Sequence, residues 1–264
     1  MQVGDGAANY QGFLAPGMFT PFAARLIADL GIEPGAAVLD VACGTGVVAR
    51  LAARATGRSG TVTGVDIGEP MLAVARCQEA EPDSAPITYL EGSALDLPLA
   101  DRSFDVATCH HGFQFFPDRV AAIQELRRVL RPGGRVAIAC WTGLEEMPVW
   151  SAIRDALQLH VGEEAGQMMT SPFAVSASEL RDLLETGDFT DVAVERVELP
   201  ASFAAVADFG ARVIAAGPVA ALFNQAPPAA REAVAAAVTE VVDQHTDADI
   251  VSFPMYSNIA TGLA

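Results

Sequence analysis

The residues best placed to do chemistry in this 264-residue chain are crowded into one run, Val38-Leu39-Asp40-Val41-Ala42-Cys43-Gly44-Thr45-Gly46. A carboxylate is followed at once by a bend of glycines. Glycine accepts a left-handed backbone and, lacking a Cβ, lets a ligand reach the main chain. A helix beginning at Val47 would present unpaired N–H groups and partial positive charge just past the bend. Gly44, Gly46 and Ala49 satisfy a G-x-G-x-x-G/A pattern, and Asp66 follows at the distance where an acid accepts hydrogen bonds from a ribose. That pattern suits a nicotinamide dinucleotide equally well. Asp40 separates the readings, because its charge repels a diphosphate and favours a ligand carrying an ammonium or a sulfonium. The competing role for Asp40 is to cap the N–H groups of its own loop.

S-adenosylmethionine carries both cations. Transfer of its methyl group is an in-line displacement, so alignment of acceptor and methyl group is the protein's main contribution. A base is needed only when the acceptor must lose a proton. His110 and His111 are the candidate bases, His111 first. Neighbours on an extended segment point opposite ways, so one of the two is expected to face the cleft. His160 and His245 are expected on helices, in packing or surface roles. Phe113, Phe115, Phe116, Trp141, Trp150, Phe203 and Phe223 could wall an apolar pocket, which favours an aromatic, polyketide or isoprenoid-like acceptor.

Several chemistries are excluded. The chain has no lysine, all sixteen basic residues being arginine, which removes a Walker-A loop, a kinase lysine, a Schiff base and a Tyr/Lys hydride-transfer pair. No G-x-S-x-G elbow is present. A net charge of −17 argues against nucleic acid and anionic membrane as partners. Cys43, Cys77, Cys109 and Cys140 are too widely spaced for a metal motif and read as thiols in a reducing compartment, so no metal is expected. Met1–Asn9 lacks a signal-peptide pattern, and apolar runs are broken by charges such as Asp208 and Arg212. The expectation is a cytoplasmic protein with a small-molecule partner and room for a homodimer.

The positioning elements follow from periodicity. Strands are predicted at Val38–Val41, Thr61–Asp66, Ile87–Glu91, Phe104–Cys109 and Arg135–Trp141. Helices are predicted between them at Val47–Ala55, from Pro70 and at Pro117–Leu130, with Arg131-Pro132-Gly133-Gly134 as a hard stop. Thr20-Pro21 reads as a helix start after an irregular arm, and Gly31 as its end. Alternating strands and helices imply a parallel sheet covered on both faces, with the ligand beyond the carboxyl ends of the strands. After Trp141 the pattern changes. A helix is predicted over Met147–His160, then a capping box at Ser176 and Glu179 and a stop at Gly187. A strand follows at Asp191–Leu199, and Ile250–Thr261 is the last. The alanine-rich 203–246, broken at Gly217-Pro218 and Pro227-Pro228, reads as helical.

Taken in order, Val38–Gly46, Val65-Asp66, Leu97-Pro98 with Ser103-Phe104-Asp105, Gln114–Asp118 and Leu126–Gly134 resemble class I S-adenosylmethionine-dependent methyltransferases. The branch is the one that includes the quinone-biosynthesis C-methyltransferases. The likeness is strongest over 36–141, and Phe253-Pro254-Met255 resembles that branch's final strand. It implies an α/β fold, a doubly wound, mostly parallel seven-stranded sheet with a reversed last hairpin and helical lid insertions. One domain over 1–264 would then hold an N-terminal arm and helix (1–30), a cofactor-binding core (36–141), lids at 145–175 and 203–246, and a last strand at 250–262. The resemblance implies S-adenosylmethionine as cofactor and S-adenosylhomocysteine as product. Asp40, Ala42, Cys43, Gly44, Thr45 and Gly46 would wrap the methionine part and Asp66 the ribose. Ile67 and Met71 would lie beside the adenine, with Ser93, Ala94 and Leu95 meeting it. Cys109 and His110 would line the methionine side. Relatives usually carry aspartate at the position of Ser93, so a weaker adenine contact is expected. The acceptor atom is expected to be oxygen or carbon, in quinone-type or secondary-metabolite biosynthesis. A methyltransferase fold that keeps its cofactor as a scaffold, as in a cyclase, and a nicotinamide-dependent oxidoreductase are the alternatives.

Overall fold

The computed structural model describes residues 6–79, 81–204, 209–215, 217 and 219–264. The N-terminal pattern over Met1–Asp5, Asp208 and Pro218 lie outside the described residues.

In chain order, α1 (Gly6–Asn9) leads through π-helical turns at Tyr10–Phe19 to α2 (Thr20–Leu30). The irregular arm expected before Thr20 is therefore helical, and Thr20 caps no free helix end. Gly31 closes α2 in the left-handed conformation, φ +50°, and Arg135 donates to the carbonyls of Leu30 and Gly31, satisfying two orphan acceptors. Then follow β1 (Ala37–Val41), α3 (Val47–Thr56), β2 (Thr61–Asp66), α4 (Glu69–Arg76), β3 (Ile87–Glu91), β4 (Phe104–His110), α5 (Arg119–Val129) and β5 (Leu130–Trp141). The remainder is α6 (Pro148–His160), α7 (Glu163–Thr170), α8 (Ala177–Thr186), β6 (Thr190–Ala204), α9 (Phe209–Ala215), α10 (Ala220–Gln225), α11 (Pro228–Asp243), β7 (Thr246–Asp247) and β8 (Ile250–Leu263).

The strands lie in the order β3-β2-β1-β4-β5-β8-β6, with the two-residue β7 pairing on β8. β1 pairs in parallel with both β2 and β4, so the order of connection reverses between β1 and β4, the position where open α/β sheets bind ligands. β8 runs antiparallel to β5, the reversed final strand that was expected. Two boundaries differ from expectation. Residues 203–204 belong to β6 rather than to a helix. Leu130 is already extended, so Arg131–Gly134 opens β5 instead of merely stopping α5, held by reciprocal bonds of Gly133 and Gly134 with Ala264. Gly187 ends α8 as expected but for a different reason. Its φ is −84°, and a Cβ there would meet the Ile123 side chain at 2.2 Å, so space and not handedness requires glycine.

The chain gathers into two compact units. One contains Thr20–Trp141, Val175–Val197 and Ser257–Ala264. Its core packs the inner faces of β1, β4 and β5 against α5 and α8, through Leu39, Ile138, Leu126 and Leu180. The other draws on described residues within 1–19, 142–174 and 198–256, which takes in the N-terminal helical turns and described residues of 145–174 and 203–246. Its centre is aromatic. Phe203 lies 5.1 Å from Phe13 and 5.3 Å from Phe209 between ring centroids, and the Trp150 indole N–H points at Met255 sulfur.

Candidate functional site

The parallel register places Asp40 of β1 opposite Thr108 of β4. The Thr108 hydroxyl donates to Asp40 Oδ1 at 2.9 Å, and Asp40 is 1% exposed. Its Oδ2 has no hydrogen-bond partner, although the Ala49 N–H in the first turn of α3 favours the charged form. Burial dominates and pushes the carboxyl up to about 7. Among the described residues Asp40 is thus held by a side chain of the neighbouring strand and by the first turn of α3, not in the loop-capping role.

That capping role belongs to Asp66. Its Oδ2 accepts from Gly44 N and its Oδ1 from Gly68 N, both at 2.7 Å. Each carboxylate oxygen has capacity for a second donor. Gly44 and Gly46 are left-handed, φ +54° and +77°, and a Cβ on Gly46 would stand 2.2 Å from Tyr89 Oη. Ala42 shares the left-handed conformation, φ +55°, and its methyl occupies the room that Gly112 leaves by having no side chain. Ile67, beside Asp66, is 76% exposed, and Met71 Cε packs over Gly44. Ser93 Oγ accepts from Leu95 N at 3.1 Å, so the hydroxyl's first task is to shape its own turn, while Ala94 and Leu95 pack on the core. Thr45 is buried, with its carbonyl taken by Arg50.

Two expected contacts are corrected. Cys109 is fully buried among the apolar residues of β5 and α5, so its side chain lines no crevice. The Cys43 thiol is turned toward Gly64 and donates to the Gly44 carbonyl at 3.9 Å, and Cys43 C=O accepts from Gly46 N, so the residue shapes its own bend. All four cysteines are free thiols.

The histidines also differ from expectation. A left-handed backbone at His111, φ +54°, brings the two rings to 4.3 Å instead of sending them to opposite sides. His111 is stacked on Trp141 at 3.6 Å and meets the edge of Phe22. Burial lowers both groups: His110, part of whose surface stays open, falls to about 3, and His111 lies well below the ordinary histidine range. Both are neutral at pH 7 and far from the poise of an efficient general base. Of the aromatic wall, Phe113 is core and Phe115 is 52% exposed; Phe113, Phe115, Phe116 and Trp141 belong to one compact unit, Trp150, Phe203 and Phe223 to the other.

Sequence reasoning missed the support beneath the adenine-side loop. Glu125 Oε2 accepts from Leu97 N at 2.7 Å, and Arg128 donates to the carbonyls of Leu97 and Leu99 while pairing with Glu125 and Asp101. The signal was present as an acid and an arginine three apart on one helix face. The bond from Arg128 holds the Glu125 carboxyl below the ordinary carboxylate range. A depressed acid adds stability above its unfolded value that is lost as pH falls through the folded one. Arg128→Met is therefore expected to lower stability by about 1–2 kcal/mol at pH 7. The gap between the thermal melts of variant and wild type should narrow as pH falls below the ordinary carboxylate range, leaving a remainder from the Arg128 bonds to the Leu97 and Leu99 carbonyls, which do not titrate.

A glycine bend leading into a helix, with acids at the ends of two parallel strands beside a topological switch, defines a Rossmann-like nucleoside-binding protein. Within that class, the sequence signature described as a methyltransferase domain matches residues 39–138. A demethylmenaquinone methyltransferase of Staphylococcus aureus strain MRSA252 is 33% identical over 182 residues, 64% of this chain and 74% of the relative. The strain JH9 counterpart is 37% identical over 126 residues, 48% of this chain and 51% of the relative. The chain belongs to the S-adenosylmethionine-dependent methyltransferases, in the branch of the quinone-biosynthesis enzymes. Solved structures share the fold. The YcgJ protein of Bacillus subtilis has TM-score 0.61 at 21% identity, covering 92% of this chain and 98% of that one. Haemonchus contortus phosphoethanolamine N-methyltransferase 2, solved with S-adenosyl-L-methionine, has TM-score 0.61 at 17% identity, covering 98% of this chain and 57% of that one. Among the described residues no helix is long and apolar enough to cross a membrane.

Proposed function

We propose that this methyltransferase alkylates an oxygen or carbon of an apolar aromatic small molecule, and that its acceptor arrives already nucleophilic. The reading of the cofactor site is carried by the buried Asp40 carboxylate, whose Oδ2 is without a partner behind the glycine bend. An uncompensated buried charge is costly, and a cation is the ligand that relieves it. Asp40 would hold the positive methionine end, Gly44 to Gly46 would admit it against the backbone, and the spare lone pairs of Asp66 would take the ribose hydroxyls. The exposed Ile67 supplies an apolar face for the adenine, with Ser93, Ala94 and Leu95 on its other side. Bound there, S-adenosylmethionine supplies an activated methyl group.

The chain's own residues would then align and enclose the acceptor. Neutral His110 can accept or donate one hydrogen bond to a hydroxyl but is a weak proton sink, which favours a phenolate, enolate or electron-rich ring carbon as nucleophile. The quinone-type acceptor draws support from the demethylmenaquinone methyltransferase relatives and from the aromatic side chains at the ends of β4 and β5. Cytoplasmic placement and a secondary-metabolic role belong to the same reading.

The test is turnover with S-adenosylmethionine and a panel of phenols, naphthols and reduced quinones, following S-adenosylhomocysteine by mass spectrometry. Stoichiometric product methylation and S-adenosylhomocysteine release are expected. Acceptor conversion without S-adenosylhomocysteine would replace this reading with the scaffold alternative.

A further inference from the structure

The loop that carries Ser93, Ala94 and Leu95 from β3 toward β4 is fastened at both ends. At its start Gly92 N donates to the Asp66 carbonyl at 3.0 Å. Gly92 has no side chain where the loop folds back, since a Cβ there would stand 2.9 Å from Pro98 Cδ. At the far end Leu97 N donates to Glu125 Oε2 at 2.7 Å. Arg128 donates to the Leu97 carbonyl at 3.0 Å and to the Leu99 carbonyl at 2.7 Å. The same guanidinium grips both oxygens of Glu125, each at 2.7 Å. Both main-chain groups of Leu97 are thus tied to one face of α5. Between the anchors, Asp96 N closes a turn onto the Ser93 carbonyl, and Leu95 N bonds to Ser93 Oγ.

Ser93, Ala94 and Leu95 hold no carboxylate that could accept from the amino group of an adenine, and the Ser93 hydroxyl oxygen is already bonded to Leu95 N. Discrimination of the base then falls to main-chain N–H and C=O groups. These cannot turn to meet a ligand as a side chain can, and a hydrogen bond weakens steeply off its axis. Their precision is the precision with which the loop is held. We propose, on the reading that the adenine lies against Ser93, Ala94 and Leu95, that Glu125 and Arg128 are positioning residues for the base: by tying Leu97 and Leu99 to α5 they hold those three residues where their main chain tells adenine from hypoxanthine. Serine at 93 is what makes the chain depend on this clamp. A carboxylate there would ease the dependence, because it would accept from the amino group directly.

The test is calorimetric titration of the full chain with S-adenosylhomocysteine and with S-inosylhomocysteine, in which an oxo group replaces the amino group of the base. The wild type is expected to prefer S-adenosylhomocysteine by about 10-fold or more. Arg128→Lys keeps a cation beside Glu125 but loses the planar fork that reaches two carbonyls at once. Glu125→Gln keeps an oxygen for Leu97 N but frees the guanidinium. Each is expected to cut the preference to about 3-fold or less, with S-inosylhomocysteine affinity held within about 2-fold. Adding Ser93→Asp to Arg128→Lys is expected to restore the preference, and Asp96→Asn to leave it unchanged. Equal weakening of both ligands, or a wild-type preference in both clamp variants, would reduce the clamp to a structural brace and overturn the proposal. So would loss of the preference in Asp96→Asn, or its absence in the wild type. Ser93→Asp alone isolates the underlying reading. It should raise the preference about 5-fold, and no change there would take the adenine off this turn.

Discussion

Asp40→Asn is expected to cut affinity for S-adenosylmethionine by about 100-fold or more while raising the melting temperature at pH 8. The two effects share one cause. The asparagine keeps an acceptor for Thr108 Oγ1 and the volume of the side chain, but removes a charge that is 1% exposed. In the wild type, burial raises this acid from 3.8 to about 7. The folded chain therefore holds the proton more tightly than the unfolded chain, and stability falls as pH climbs between those two values, then levels off. The variant should lack that slope, so its stability advantage grows between pH 4 and pH 7 and is complete above about 7. The ligand side follows by linkage. A cation bound against Asp40 favours its ionised form, so wild-type affinity should rise with pH up to about 7 and binding should release protons below it. Calorimetry in two buffers of different ionisation enthalpy reads that release directly. Wild-type affinity in the asparagine variant would mean that the charge plays no part in holding the cofactor.

Asp66→Asn should lose a similar factor in cofactor affinity, but with stability moving the other way. Both oxygens of Asp66 accept backbone N–H groups, Gly44 on one and Gly68 on the other. An amide offers one oxygen and one NH₂, so whichever way it turns, a backbone donor faces a donor. One end of the bend is released, at a cost of about 1–3 kcal/mol for the orphaned group. The affinity loss, about 100-fold, combines the missing charge-assisted bonds to the ribose with this loosened loop. Circular-dichroism melts alongside cofactor titration separate the two acids. Asp40→Asn should melt higher and Asp66→Asn lower, with binding impaired in both. A variant at 66 that melts with the wild type and binds weakly would assign Asp66 to the ligand alone and not to the bend.

The sheet was legible because its strands carry a period and its turns carry glycine. β2 and β3 fall on the predicted residues, and the order of elements up to Trp141 is as read. Asp40, Gly44, Gly46 and Asp66 stand out by spacing, and the structure gathers them at one end of β1 and β2. Their division of labour was not legible there, because whether a carboxylate faces a loop N–H or a threonine depends on which strand lies beside it. Thr108 and Gly68 carry no signal of their own in a single chain. The histidines misled for a local reason. The rule of alternating side chains fails where His111 leaves the extended region, and nothing in His-His-Gly announces a left-handed turn at the second histidine. Cys109 was placed at the crevice because it ends a strand, yet its parity on β4 turns it to the α5 face. The π-helical turns at Tyr10–Phe19 lack the 3.6-residue period that a helix search looks for. The partition into two units was hidden because the second gathers three stretches remote in sequence.

The two tryptophans of this chain sit one in each unit. Trp141 stacks on a neutral imidazole, whereas Trp150 points its N–H at a thioether. Their emission should therefore differ in quenching and in colour. Replacing either by phenylalanine leaves a fluorophore confined to one half of the molecule. With such a pair of reporters, a single denaturant series would reveal whether the nucleoside-binding half and the aromatic half come apart together or in succession.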